Sequence, residues 1–302
     1  MNFTNLYFLR LLWQIPIALL ILSIFLFSIS GYAISFNSRR TKDVAYVSPT
    51  SPDFSPERHL LDIYTPRSTS AKGRPVVVFM HGGAWNSGSK NLYFIIGRRL
   101  AKQGVVAVVI NYRLAPSVEV PAMADDCARA VIWTAQHIAD YGGDPNRIFV
   151  MGHSAGGGLA ALVANDDQLF TKFGMTKNPI KGAILDDPGG LDMFDYLTKM
   201  QYPGDESYLG AFGKKPDVWR TVSALYYLRA DSPPVLMYAG ENTYPGIASS
   251  TRKYDKRLQE LGIKHEFTVL PGKKHIPMVT QLFWKNNVIY RDLLKFVGAE
   301  SS

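Results

Sequence analysis

Two unbroken apolar runs, Pro75-Val76-Val77-Val78-Phe79-Met80 and Val105-Val106-Ala107-Val108-Val109-Ile110, lack the alternation of a half-exposed strand. Such runs fit strands buried on both faces of a parallel sheet. Between them, NLYFIIGRRLAKQG repeats its apolar residues at intervals of three and four and closes on Gly104, as a helix does. The same rhythm predicts a helix around Pro121 to Asp140, a strand from Arg147 to Met151, a helix from Ala155 to Asn165 and a strand from Ile180 to Leu185. After an irregular stretch come a strand from Val235 to Ala239, a helix from Ser250 to Leu261, a strand from His265 to Leu270 and a last helix near Asn286 to Val297. Strand alternating with helix predicts an α/β fold, a mostly parallel sheet covered on both faces through right-handed crossovers. Ligands of such sheets sit at the carboxyl ends of the strands, so each functional residue is expected just after a strand.

The rhythm is interrupted twice. Across residues 188–232, LDMFDYLTKMQYP and PDVWRTVSALYYLR predict short helices rich in aromatic residues, an insertion in which Phe194, Tyr196, Trp219, Tyr226 and Tyr227 either shape a substrate site or pack onto the sheet. At the N-terminus, Leu11 to Phe36 is almost wholly apolar and long enough to span a bilayer. Arg10 before it and the small residues of Ser28-Ile29-Ser30 and Gly31-Tyr32-Ala33 resemble a secretory signal, whereas Arg39, Arg40 and Lys42 after it favour a cytoplasmic flank. The expected organisation is a signal peptide or membrane anchor with a short linker over residues 1–40 and one folded domain over 41–302, exported or membrane-anchored, with an inner-face anchor as the alternative.

Composition narrows the chemistry. The net charge of +8 is carried by scattered pairs such as Arg98-Arg99 and Lys273-Lys274, with no long basic block. This describes a solvated surface better than a nucleic-acid site. One cysteine, Cys127, leaves no internal disulfide and no cysteine-rich metal site, and its neighbours place it in a helix as a packing residue. Neither H-E-x-x-H nor a phosphate-binding glycine fingerprint is present, so no metal or cofactor is implied.

The chemistry concentrates at RIFVMGHSAGGGLAALVA, where a strand passes through Gly152-His153-Ser154-Ala155-Gly156 directly into a helix. G-x-S-x-G at such a turn lifts the serine hydroxyl clear of its surroundings, and the helix N-terminus favours negative charge beside it. An earlier strand ends in VVVFMHGGAW, a turn whose Gly82 and Gly83 N–H groups are expected, with that of Ala155, to stabilise the oxyanion formed when serine attacks an ester. His81 is expected to brace this loop, and Trp85 to pack or to shape the acyl pocket. Of six histidines only His275 follows the last predicted strand, which makes it the expected base. His59 and His265 read as strand residues, His137 as a helix residue, and His153 is fixed beside the elbow.

The segments HGGAW, NYRLAP, GGDPNRI, GHSAGG, PPVLMYAG and GKKH together resemble the α/β-hydrolase family, in the carboxylesterase branch related to hormone-sensitive lipase, over most of the chain after about His59. The resemblance implies ester hydrolysis through an acyl-enzyme and a lid formed by the insertion. One part of the pattern is missing. The family's acid commonly stands three residues after a glycine as G-x-x-D, where YAGENTYPG has Thr243. Asp187, at the end of IKGAILDD, is the favoured substitute because a strand end fixes it to orient His275. Glu241, Asp192 and Asp186 are the alternatives, and loop capping is the other role open to these aspartates. The expected substrate is a small ester with a short-chain or aromatic acyl group, carbohydrate acetyl or feruloyl esters included. An aryl-formamidase, a serine peptidase, or a binding module with a degraded site on the same fold are the rival readings.

Overall fold

The structure, a computed structural model, describes residues 38–67 and 73–299. The apolar segment of residues 1–37 therefore lies outside the described residues. Among the described residues no helix is long and apolar enough to cross a membrane.

Eight strands form one sheet: β1 (Ser38–Ala45), β2 (Leu60–Pro66), β3 (Arg74–Met80), β4 (Val106–Ile110), β5 (Gly143–His153), β6 (Ile180–Asp186), β7 (Val235–Gly240) and β8 (His265–Leu270). Their order is β1-β2-β4-β3-β5-β6-β7-β8. From β4 to β8 every neighbouring pair is parallel, and β1 and β2 add an antiparallel edge. This is the α/β-hydrolase fold.

The strands are buried on both faces because successive side chains enter different cores. Val76, Val78 and Met80 point into one, while Val77 and Phe79 point into the other. Helices α1 (Phe94–Lys102), α2 (Val120–His137) and α3 (Ala155–Asn165) follow β3, β4 and β5. Ile96 and Leu100 of α1 cover one face, and Met123, Cys127 and Leu159 from α2 and α3 cover the other. The insertion after β6 holds α4 (Met193–Lys199), α5 (Pro216–Thr221) and short helical turns at Asp205–Tyr208, Leu209–Phe212 and Ala224–Tyr227. Three further helices complete the chain: α6 (Pro245–Glu260), α7 (His275–Thr280) and α8 (Val288–Phe296).

Three differences from the sequence reading have physical causes. Residues 38–40, expected as linker, begin β1, whose SRRTKDVA is mostly solvent-facing and so carries no apolar signature. Residue Asp62 interrupts the apolar pattern of β2; its buried carboxylate is held by Arg40 and by Lys90 Nζ at 2.8 Å. Helix α6 starts at Pro245, five residues before the expected Ser250, because proline is preorganised for the first helical turn. His59 stands one residue before β2, fully buried, with Nε2 3.0 Å from Asp126.

Candidate active site

The elbow at the end of β5 is as tight as its glycines permit. A Cβ on Gly152 would lie 2.1 Å from the Gly156 carbonyl oxygen, so only glycine allows the strand to turn into α3 this sharply. Ser154 pays for the turn with φ 56° and ψ −126°, a conformation held by its N–H donating to the Asp186 carbonyl at 3.2 Å and by its own carbonyl accepting from Gly157, Gly158 and Gly189.

Two other strand ends complete a relay. His275 follows β8 at the start of α7, and its Nε2 lies 2.8 Å from Ser154 Oγ. Asp187 follows β6, and its Oδ2 lies 2.6 Å from His275 Nδ1. A carboxylate on Nδ1 fixes the tautomer that leaves Nε2 free to take the serine proton. Asp187 is itself fixed: Oδ1 accepts the Gly240 N–H at 2.9 Å, and Oδ2 also accepts the Thr243 hydroxyl at 2.5 Å. Thr243, at the position where the family places its acid, is thus a donor to the carboxylate that meets His275.

The other carboxylates are engaged elsewhere. Glu241 is exposed and accepts the Gly272 N–H at 2.7 Å. Asp192 caps α4 through the Asp195 N–H at 3.2 Å and pairs with Lys253 at 2.8 Å. The Asp186 carboxyl is wholly buried with no hydrogen-bond partner among the described residues, and burial, with Asp187 beside it, holds it well above the usual carboxylate range.

The residues expected as oxyanion donors differ in their access to the cavity. Gly82 is not on the wall of the cavity that contains Ser154, and its carbonyl is hydrogen-bonded to His81 Nδ1 at 2.9 Å. Gly83 and Ala84 do line that cavity. Ala155 follows Ser154 at the first position of α3. The structure thus places Gly83 and Ala84, and not Gly82, on the cavity wall. The cause is a reversal of the backbone, with φ 136° at Gly83, 49° at Ala84 and 60° at Trp85. At Gly83 a Cβ would lie 2.2 Å from the Ser87 carbonyl oxygen, so no other residue fits.

Both histidines beside the site act as braces. The His81 ring bonds the Gly82 carbonyl through Nδ1 at 2.9 Å, and its own carbonyl accepts the Tyr112 hydroxyl at 2.7 Å. His153 donates Nε2–H to the His275 carbonyl at 3.1 Å, and the two rings stack at 4.7 Å. Burial pushes His81 down to about 4 and His153 to about 3, so both are neutral near pH 7. A motif reading sees His153 only as a neighbour of the serine, since its partner lies 122 residues away.

Ser154 and His275 open onto a cavity of about 730 Å³. Trp85 and Tyr208 form part of its wall and meet edge-to-face at 5.8 Å. Of the five aromatic residues singled out in the insertion, Tyr196 lines the cavity and Phe194, Trp219, Tyr226 and Tyr227 do not. Trp219 packs in the core, with Nε1 donating to the Gly213 carbonyl at 3.1 Å. Among the described residues no cluster of three or more His, Cys, Asp or Glu is placed to hold a metal ion. The arrangement is a hydroxyl with a general base beside it and a glycine-rich main-chain turn on the same cavity wall, which suits acyl transfer.

Comparison with known proteins places the chain among hydrolases of the same fold. Residues 61–244 match the model of the BD-FAE family. An isoprenylcysteine alpha-carbonyl methylesterase of Arabidopsis thaliana is 27% identical over 81% of this chain and 60% of its own length. The chain spans between about a third and three fifths of the length of the plant methylesterases it matches. A kynurenine formamidase of Danio rerio is 28% identical over 88% of this chain and 87% of its own. Among solved structures, Esterase B of Lactobacillus rhamnosis superposes with a TM-score of 0.73 at 20% identity, covering 87% of this chain and 86% of that one.

Proposed function

Since the chain belongs to the BD-FAE family of the α/β-hydrolase fold, we propose that it is a serine carboxylic-ester hydrolase working through an acyl-enzyme. Ser154 Oγ attacks the ester carbonyl while His275 Nε2 takes its proton, and Asp187 stabilises the imidazolium. Negative charge on the carbonyl oxygen is met by the N–H groups of Gly83, Ala84 and Ala155. The imidazolium then protonates the leaving alcohol, and a water activated by His275 releases the acid.

The observation that carries this reading is the unbroken relay of 2.8 Å and 2.6 Å at the wall of a cavity large enough for an ester. A fluorophosphonate probe is expected to label Ser154 in the folded protein, and Ser154→Ala to abolish both labelling and turnover of small nitrophenyl esters. Labelling absent, with Ser154→Ala as active as the parent, overturns the assignment. The aromatic wall supports short-chain or aromatic acyl groups, carbohydrate acetyl and feruloyl esters included.

A second reading, aryl-formamide hydrolysis, is favoured by the nearly full-length match to the formamidase of Danio rerio. The two share one mechanism, so the ratio of kcat/KM for matched aryl esters and aryl formamides separates them. The apolar run from Leu11 to Phe36 supports export or membrane anchoring, which N-terminal sequencing of the mature protein tests.

A further inference from the structure

The chain carries 33 lysines and arginines and a net charge of +8. Among the described residues none of those cations lines the cavity that holds Ser154. Apart from histidine, the titratable acids and bases on its wall are tyrosines and two carboxylates, Asp192 and Asp205. Asp192 has its counter-charge in Lys253 at 2.8 Å. Asp205 has none among the described residues. Its Oδ1 accepts the Tyr196 hydroxyl at 2.5 Å and its Oδ2 accepts the Tyr202 N–H at 2.8 Å, both from neutral donors. The residue is only 3% exposed.

A carboxylate taken out of water is costly unless it is paired, and two neutral hydrogen bonds offset only part of that cost. Each of its oxygens can still accept a second hydrogen bond. The surrounding wall is aromatic: Trp85, Tyr196, Tyr202, Tyr208 and Tyr244 all line the same cavity. Aromatic faces attract a cation through their quadrupole, most strongly where water is excluded. An anionic group here would meet two carboxylates and no cation, whereas an ammonium group would meet an unpaired carboxylate and ring faces.

We propose that this wall is a cation subsite, with Asp205 as its counter-ion, so that the enzyme prefers esters bearing an ammonium group. The proposal rests on the ester-hydrolase reading above and adds the charge class of the substrate. Asp205 also ties α4 to the following turn through Tyr196 and Tyr202, and a purely structural latch is the role the test must separate from substrate recognition.

The test uses the full chain and a matched pair, 2-(trimethylammonio)ethyl butyrate and its uncharged carbon isostere 3,3-dimethylbutyl butyrate. The kcat/KM for the cationic ester is expected to exceed that for the isostere by about tenfold or more, the scale of a desolvated cation–aromatic and ionic contact. Asp205→Asn is expected to bring that ratio to about one. A ratio near one in the parent overturns the proposal, and so does a ratio that Asp205→Asn leaves unchanged while both rates fall, the signature of a latch. A measurement on the parent alone guards against misfolding of the variant: tetramethylammonium should inhibit p-nitrophenyl butyrate hydrolysis competitively. Failure to inhibit counts against the subsite. Absence of turnover of all three esters overturns the hydrolase reading itself, a result distinct from turnover without charge preference.

Discussion

Asp187→Asn is the substitution whose outcome the geometry specifies most completely. The carboxylate meets three donors, and they are not equivalent. Oδ1 faces the Gly240 N–H, a main-chain donor at the end of β7 that cannot reverse its role. Oδ2 faces His275 Nδ1 and the Thr243 hydroxyl, and both of these can become acceptors. An asparagine therefore keeps its carbonyl on Gly240 and turns its NH₂ to His275 and Thr243. The NH₂ donates to Nδ1 and moves the ring proton to Nε2, so His275 presents a donor to Ser154 where a base is needed. Loss of the correct tautomer costs serine hydrolases about 10⁴-fold in kcat, or about 5.5 kcal/mol of barrier. KM should change little, because Asp187 is not on the cavity wall. The assay is steady-state hydrolysis of p-nitrophenyl acetate, with thermal unfolding to verify the fold. An Asp187→Asn enzyme retaining kcat to within about tenfold, or a larger loss from Glu241→Gln or Asp192→Asn, refutes the reasoning.

Thr243 already touches the oxygen that His275 uses, so Asp187→Asn/Thr243→Asp should recover at least about tenfold of the lost kcat; no recovery would show that position 243 cannot reach the ring. Gly83→Ala forces a Cβ to 2.2 Å from the Ser87 carbonyl and displaces two oxyanion donors, so kcat should fall by about 10²-fold or more while fluorophosphonate labelling of Ser154 slows in parallel. Acid stability follows from three buried groups. His81 and His153, held down at about 4 and about 3, bind fewer protons in the folded chain than in the unfolded one below about pH 6.5, so the stability they contribute is complete above that pH and is lost as pH falls. Asp186, whose carboxyl burial holds well above the usual carboxylate range, works in the opposite direction. Asp186→Asn should therefore make stability fall more steeply as pH drops below about 6.5. Urea unfolding at three pH values measures both slopes, and a parent slope as steep as the variant's contradicts the account.

The sequence determined by itself whatever depends on local pattern. Unbroken apolar runs fit strands covered on both sides, which is why β3, β4 and β7 fall close to where periodicity puts them. The glycine-flanked serine between a strand and an alanine-rich run can only be a tight corner, and helix α3 starts and stops at the expected residues. Pattern is silent where tertiary partners replace it, as at charged β1, which finds its place at the sheet edge, and at Asp62, whose charge is met by Arg40 and Lys90.

The choice among carboxylates is of the same kind. Glu241, Asp192 and Asp187 are chemically alike, and what separates them is that the ends of β6, β7 and β8 are adjacent in space. That adjacency brings Asp187, Gly240, Thr243 and His275 to one point. The third oxyanion donor was equally a matter of tertiary structure, because the direction of an N–H depends on φ and ψ across Gly83, Ala84 and Trp85, which residue identity restricts without fixing. Local sequence sets which conformations are cheap, whereas a hydrogen bond between residues some ninety apart is decided only when the sheet brings its ends together.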